Sequence, residues 1–477
     1  MRLPENLKLV LSLALSTLLI VLLLAFAQKI ITPDSPLAPT VVDQSLEEKI
    51  TSRMSFGDKI LIQKECFGIQ KDNFLKFKAL KKEAVELINE KNEKEAISYF
   101  ELAKKYCPNA PENLIYLNNA KIDEQKSYTI ATLVHSSIDY DKALEILRGF
   151  AQAQWEINRQ GGIDGIPLKL LVIDDGDSPE FAKKIANYLV EQEDILAVTG
   201  HWTSDVSLAV APIYTAGKLV FITPNSSTNE LSKYNDYVFQ IHMINKQISK
   251  ALAEYVLNNW DIQKVAIFYV KDTTYTEELK NDFKQELETS GGRVVKTFDL
   301  SNPNFDAQFS WKEAKDLVAE GLFLITDNIF FDKAIEVIRV NSGELKLIAE
   351  ANLYSSNTLI QSKADAIGLV MPVSWHLDQH LDSDFVKNAQ KLWRTRSVND
   401  ITAMSYNAMR ALITALQSNQ NPNRITIQQA LKSPDFVAQG AGEIIKFTPE
   451  GTREGKVQLV EVRAKKNGDG YEFVSIN

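Results

Sequence analysis

From residue 128 onward the chain repeats one pattern: a short apolar run, then a longer stretch whose apolar positions recur at helical spacing. Runs at 129–134, 168–173, 195–199 and 219–222 are separated by helical stretches at 141–159, 179–192 and 204–215. A second series has runs at 265–270, 294–298, 322–326, 346–349 and 368–372, with helical stretches at 275–289 and 330–340. Strands that alternate with helices pair in parallel, and the crossover helices cover both faces of the sheet. Two such series predict an α/β fold of two doubly wound parallel-sheet lobes. Small ligands of such sheets bind beyond the carboxyl ends of the strands, which puts a site in the cleft between the lobes.

The pattern before residue 128 is different. Arg2 and Lys8 precede an apolar run over 9–27, broken only by Ser12, Ser16 and Thr17. As a helix this run would be about 28 Å long, close to the hydrocarbon thickness of a bilayer. It reads as a transmembrane anchor, or as a signal peptide cut after the small-x-small sequence Ala25-Phe26-Ala27. The positive flank places the remainder outside the cytoplasm in either case. The expected location is the periplasmic face of a bacterial inner membrane, or the periplasm or medium if the segment is removed. Residues 28–60, with Pro33, Pro36 and Pro39, read as a linker. Residues 61–126 read as a helical prefix, with one apolar stripe through Ala84, Val85, Leu87 and Ile88 and a second through Ala96, Phe100 and Ala103. This resembles a single tetratricopeptide-type helix pair. Such repeats need about three copies to bury a core, so the pair reads as a spacer or docking cap.

A net charge of −9 gives no general attraction for nucleic acid. The two cysteines, Cys66 and Cys107, are too few for a disulfide framework or a four-thiolate zinc site. In an oxidising compartment they could pair with each other; the alternative is two unrelated buried thiols.

Several short sequences in 128–476 occur in the order of a known family. Ala151-Gln152-Ala153, Ile157-Asn158 and Gly161-Gly162-Ile163-Asp164-Gly165 match a first helix and its glycine turn. Thr199-Gly200-His201-Trp202-Thr203-Ser204 matches a glycine-histidine-x-x-serine turn, and Ile222-Thr223-Pro224-Asn225-Ser226-Ser227-Thr228 a proline loop. Lys271 to Tyr275 matches a tyrosine loop of the second lobe, and Phe447-Thr448-Pro449-Glu450-Gly451 introduces a closing strand pair. Together these resemble the leucine/isoleucine/valine-binding family of periplasmic receptors, with the type I periplasmic-binding-protein fold. The resemblance implies that Ser204 holds a ligand's α-carboxylate. The residue types agree, because a helix start offers free N–H groups and a favourable dipole to an anion. The structural alternative for Ser204 is an ordinary N-cap. Asn225, Ser226 and Ser227 offer carbonyls and hydroxyls to an ammonium. Trp202 offers a flat apolar wall, or else core packing, and Tyr275 would close from the second lobe. The family supplies an acid from the second lobe near the stretch that here reads Ser301-Asn302-Pro303-Asn304-Phe305. No carboxylate stands there, and Asp327 is the expected substitute.

The remaining motifs carry little chemistry. Gly161-Gly162-x-x-Gly165 follows a helix and precedes a strand, the reverse of a phosphate loop. His376 and His380 lack the intervening glutamate of a zinc protease, since Leu377 stands there. Asp174, Asp175 and Asp177 lack the glycine and distal glutamate of a calcium loop. With five histidines and no nucleophile elbow, no enzyme, metal or cofactor is expected. The expectation is a solute-binding receptor for an amino acid, an amide or a similar small polar solute, serving the permease of an ABC-type importer by lobe closure. The alternatives are a sensor signalling to a membrane partner and a ligand-free envelope scaffold. The expected segments are 1–27, 28–60, 61–126 and 127–477, with one lobe over 127–243 and 375–440 and the other over 244–374 and 441–477.

Overall fold

The computed structural model describes residues 45–476 apart from 67, 68, 123–125, 137, 138, 395–397, 467 and 469. The apolar run at 9–27 and most of the linker lie outside the described residues. Among the described residues no helix is long and apolar enough to cross a membrane.

Two sheets form the frame. The first contains β1 (Met54–Ser55), β2 (Tyr128–Val134), β3 (Leu168–Asp174), β4 (Ile195–Thr199), β5 (Val220–Thr223) and β6 (Val238–Gln240), in the order β1-β3-β2-β4-β5-β6. The strands β2 to β6 pair in parallel, and β1 lies antiparallel on β3. The second sheet begins with β7 (Lys264–Tyr269), β8 (Arg293–Asp299), β9 (Gly321–Ile325), β10 (Lys346–Ala349) and β11 (Val370–Val373), all parallel. A ribbon of β12 (Ala438–Gln439) and β13 (Ile444–Ile445) stands apart. The second sheet is completed by β14 (Gln458–Ala464) and β15 (Tyr471–Ser475), both antiparallel to their neighbours, giving the order β15-β14-β11-β10-β9-β7-β8. Every residue of β2, β5, β9 and β11 is buried, as expected where helices cover both faces.

The chain leaves the first sheet after β6 and returns after β11, where the helices Asp384–Trp393, Asp400–Gln417 and Arg424–Lys432 follow. Phe385, Trp393, Met404 and Leu412 from these helices share a core with Ile130, Leu147 and Ile222 of the first lobe. The chain crosses again before β14. That crossing runs beside β6, with Arg453 N–H donating to Gln240 O at 3.0 Å and Gln240 N–H donating to Gly451 O at 2.9 Å.

The prefix is not a free helix pair. Its helices Lys71–Asn89 and Glu93–Tyr106 are followed by Pro111–Ala120, in which every residue is buried. This third helix starts with proline at its first turn, where the missing N–H costs nothing. Ala84, Phe100, Leu114 and Tyr116 belong to the same core as Leu147 and Phe150 of the helix Tyr140–Arg159. Asn119 is the seam: its Nδ2 donates to Leu170 O at 2.8 Å, and its Oδ1 accepts from Leu170 N at 3.1 Å and Gln154 Nε2 at 2.8 Å. The spacer reading therefore gives way, because the stripes of the first two helices are covered by a third helix that is itself packed on the first lobe.

A buried ionic cluster lies inside the prefix. The Lys81 ammonium contacts Glu65 and Glu112, and all three side chains are at most 2 % exposed. Glu112 Oε1 also accepts from Leu61 N, Ile62 N and the Tyr116 hydroxyl at 2.8–3.1 Å. Glu65 Oε1 accepts from Glu112 N at 2.6 Å and Asn113 N at 3.2 Å. Beside it a disulfide joins Cys66 to Cys107, with Cα atoms 6.1 Å apart.

Candidate ligand-binding cleft

The first lobe presents two turns at the carboxyl ends of β4 and β5. After β4 the backbone passes through Gly200 at φ +127°, where an added Cβ would meet Leu133 O at 2.3 Å, so only glycine fits. His201 follows and is fully buried, with Nδ1 2.7 Å from Asp175 Oδ2 and Nε2 3.0 Å from the Tyr214 hydroxyl. It anchors the turn from behind. Thr203, and not Ser204, is the N-cap of the helix Ser204–Ala216: its Oγ1 accepts from Val206 N at 3.4 Å. Its hydroxyl donates to Asp177 at 2.7 Å, and burial raises that carboxyl to about 6. Ser204 is thus relieved of capping, is 4 % exposed, and its Oγ accepts from Ser226 Oγ at 3.3 Å.

The proline loop is more committed to its own fold than the sequence suggested. Gln240 Nε2 donates to the carbonyls of Ser226 and Thr228 at 3.1 and 2.9 Å. Ser227 Oγ donates to Asn245 Oδ1 at 2.8 Å, and Ser227 O accepts from Asn245 N at 2.7 Å. Ser226 and Ser227 are buried, while Asn225 reaches the cleft, with Nδ2 donating to Trp202 O at 3.3 Å. Trp202 also lines the cleft, and the buried His135 ring lies 5.3 Å from its indole. Neither ring nitrogen of His135 has a hydrogen-bond partner among the described residues, and burial lowers its pKa.

The second lobe contributes a tyrosine–carboxylate pair. Tyr275, in the first turn of the helix Thr274–Thr289, donates its hydroxyl to Glu350 Oε2 at 2.7 Å. Glu350 directly follows β10 and is fully buried; it also accepts from Asn352 N at 2.7 Å and Thr326 N at 3.4 Å. Burial raises its carboxyl to about 7, against those hydrogen bonds and the nearby Lys142 charge. Asp327 is occupied elsewhere: its Oδ1 accepts from Ile329 N and Phe330 N, both at 2.9 Å. It closes its own loop, so Glu350 is the second lobe's acid at the pair with Tyr275. The signal for Glu350 lay in the sequence, since it ends an apolar run by the same rule that singles out the other turns.

The space between the lobes is a cleft of about 810 Å³ whose walls include Lys142, Trp202, Asn225, Asn352, Tyr354 and Asp400. Burial raises Asp400 to about 7. Lys142 reaches from the first lobe to Asn328 and Asn352 of the second. Asp205 and Thr274 also touch across the lobes, and Asn229 Nδ2 donates to Asp282 Oδ2 at 2.7 Å. His376 and His380 do not converge. His376 bonds the Tyr354 hydroxyl and Asp378, whereas the His380 ring stacks on Trp375.

The chain matches the model of the periplasmic binding protein family over residues 137–469. Among curated relatives, an "amino acid binding protein" of Pseudomonas aeruginosa is 31% identical over 149 residues, which are 31% of this chain and 40% of that one. The chain spans about half the length of curated relatives of this kind. An ABC transporter substrate-binding protein of Desulfitobacterium hafniense, solved in complex with Leu, is 23% identical with a TM-score of 0.61, covering 73% of this chain and 100% of its own. A solute-binding protein of Rhodopseudomonas palustris, solved in complex with 3,4-dihydroxybenzoic acid, is 17% identical with a TM-score of 0.63, covering 73% of this chain and 96% of its own. At these identities the two structures share the fold alone. The match over most of the chain, together with two doubly wound sheets facing one cleft, makes this protein a member of the periplasmic binding protein family.

Proposed function

We propose that this protein is an extracytoplasmic receptor that captures a small carboxylate-bearing solute, an amino acid or a related compound, for an ABC-type importer. One lobe would comprise 127–243 and 375–440, the other 244–374 and 441–477, and the apolar run at 9–27 would hold the receptor at the inner membrane or be removed. The observation that carries this reading is one cleft walled by Trp202 and Asn225 from the turns of the first lobe and by Asn352 and Tyr354 from the second. The buried helix start at Ser204 lies behind the first wall and the Tyr275–Glu350 pair behind the second. The carboxylate would sit at the helix start, where N–H groups and dipole favour an anion. Trp202 and Asn225 would flank it. Tyr275 would swing in with the second lobe, and closure would be a population shift driven by tighter binding to the closed form. Relatives described as binding amino acids, leucine or 3,4-dihydroxybenzoic acid support this chemistry. No catalytic step is assigned.

The test is a thermal-shift panel on the full chain in detergent, covering amino acids, amides and small carboxylic acids. A true ligand at a hundredfold its dissociation constant stabilises by about 2.7 kcal/mol. A folded protein that no member stabilises would turn the reading towards a scaffold. A sensor is the second reading, favoured by the core that the prefix shares with the first lobe. Movement of that lobe would carry the prefix with it. Uptake of the ligand that persists after deletion of the gene would support the sensor over the importer.

A further inference from the structure

The cleft already contains a cation. Lys142 stands in the first turn of the helix Tyr140–Arg159, and its side chain is 19 % exposed. Its ammonium bonds Asn328 Oδ1 and lies 3.3 Å from Asn352 Oδ1, both on the second lobe. Asn352 in turn donates its N–H to Glu350 Oε2 at 2.7 Å, so the ammonium and the carboxylate share one partner. On the other side Lys142 Nζ lies 5.5 Å from the centre of the Trp202 ring, next to the Ser204 helix start. The ammonium therefore lies in the cleft between the wall at Trp202, whose turn leads to Ser204, and the loop at Asn352, which is bonded to the buried Glu350.

Carboxylates on the cleft walls include Asp139, Asp141, Glu145 and Asp400; Glu350, buried behind Asn352, is largely spent. A carboxylate offers about four acceptor positions, and Glu350 already receives Tyr275, Asn352 and Thr326. A ligand ammonium carries three donors and would arrive beside a second ammonium of like charge. A ligand without an amine avoids both difficulties, and its carboxylate would face Lys142 as well as the helix start.

We propose that Lys142 is a specificity-determining residue: it supplies from within the chain the positive charge that faces Glu350, so the cleft takes a carboxylic acid without an α-amino group. This rests on the receptor reading above and narrows it. The nearest acid to Lys142 is Asp139, the N-cap of the same helix, with Oδ2 3.7 Å from Nζ. Glu350 and Asp400 act on the ammonium from farther off. Asn328, Asn352 and Asp139 between them take up the three donors of the ammonium, so a ligand carboxylate would meet Lys142 through its charge or by displacing one of the neutral amides.

The experiment uses the full chain in detergent and matched pairs of probes that differ only in the α-amine: leucine against 4-methylpentanoate, and phenylalanine against 3-phenylpropanoate. Calorimetric titration is expected to give the amine-free member of a pair about tenfold or more the affinity of its amino acid. Lys142→Met is expected to abolish or invert that ratio, with its melting curve checked against wild type. Tighter binding of the amino acid by wild type would overturn the inference and leave the receptor reading standing. An unchanged ratio in Lys142→Met would also overturn it. Binding of neither class by folded wild type would overturn both. The wild-type ratio decides the matter even if the variant does not fold.

Discussion

Lys81 and Lys142 are both lysines held among carboxylates away from bulk water, and they differ in what is left unspent around them. In the prefix the Lys81 ammonium meets two carboxylates at once, and backbone N–H groups and the Tyr116 hydroxyl fill the remaining acceptor positions. Burial would lower the Lys81 pKa, but Glu112 and Glu65 outweigh it and raise it. At the cleft, Lys142 crosses to neutral amides, and its closest carboxylate stands 3.7 Å away. Burial lowers its pKa, and Asp139, Glu350 and Asp400 recover only part of the loss. A cluster whose charges cancel at close range fixes a fold, whereas an ammonium held mainly by neutral amides keeps a charge that a ligand can use.

The comparison breaks most sharply in stability. Lys81→Met leaves two buried carboxylates without their counter-charge and should destabilise the protein by about 3–5 kcal/mol in denaturant unfolding. Lys142→Met should cost under about 1 kcal/mol, because Glu350 and Asp400, both at about 7, can take up protons instead. Equal losses in the two variants would erase the distinction drawn here.

Replacing both Cys66 and Cys107 by serine opens a loop of 41 residues beside the Lys81 cluster. The chain-entropy model gives about 4 kcal/mol for this loss. Dithiothreitol should reproduce it in wild type and do nothing to the double variant. Ser204→Ala acts behind the cleft wall at Trp202 and removes the acceptor of the buried Ser226 hydroxyl, so its melting curve is checked beside wild type. It should weaken binding of a carboxylate ligand by about 1–3 kcal/mol in calorimetric titration. An unchanged affinity would move the carboxylate away from the helix start.

A last effect is one of pH on the ligand-free protein. The Glu350 carboxyl sits at about 7 in the folded state against an ordinary 4.5, so folding favours its protonated form. Its contribution to stability is full below the unfolded value and is lost as pH rises through about 7. Glu350→Gln removes that term, so the variant should gain on wild type in melting temperature as pH rises from about 4.5 to about 7. Parallel melting curves would show that Glu350 ionises freely where it stands.

Much of the frame was legible because it is local. The run at 168–173 became β3 (Leu168–Asp174), and the stretch at 204–215 became the helix Ser204–Ala216, as the period of apolar residues required. Turns at strand ends were legible by the same logic: Trp202 and Asn225 line the cleft, while Tyr275 bonds the buried Glu350 behind its wall. Ser226 and Ser227 were read as open groups, yet Gln240 and Asn245 bind them from the next strand and helix. The two-residue β1 is too short to show any period, and it exists because β3 offers it an edge.

Periodicity, turn residues and chain order by themselves determined two doubly wound lobes with a cleft at their strand ends, since each follows from neighbours along the chain. Which charges meet in that cleft was decided only by tertiary structure. Lys142 finds Asn328 and Asn352 across separations of 186 and 210 residues, and Tyr275 finds Glu350 across 75. Charge pairing depends on distance through space and on the water excluded from it, and neither is written in local sequence.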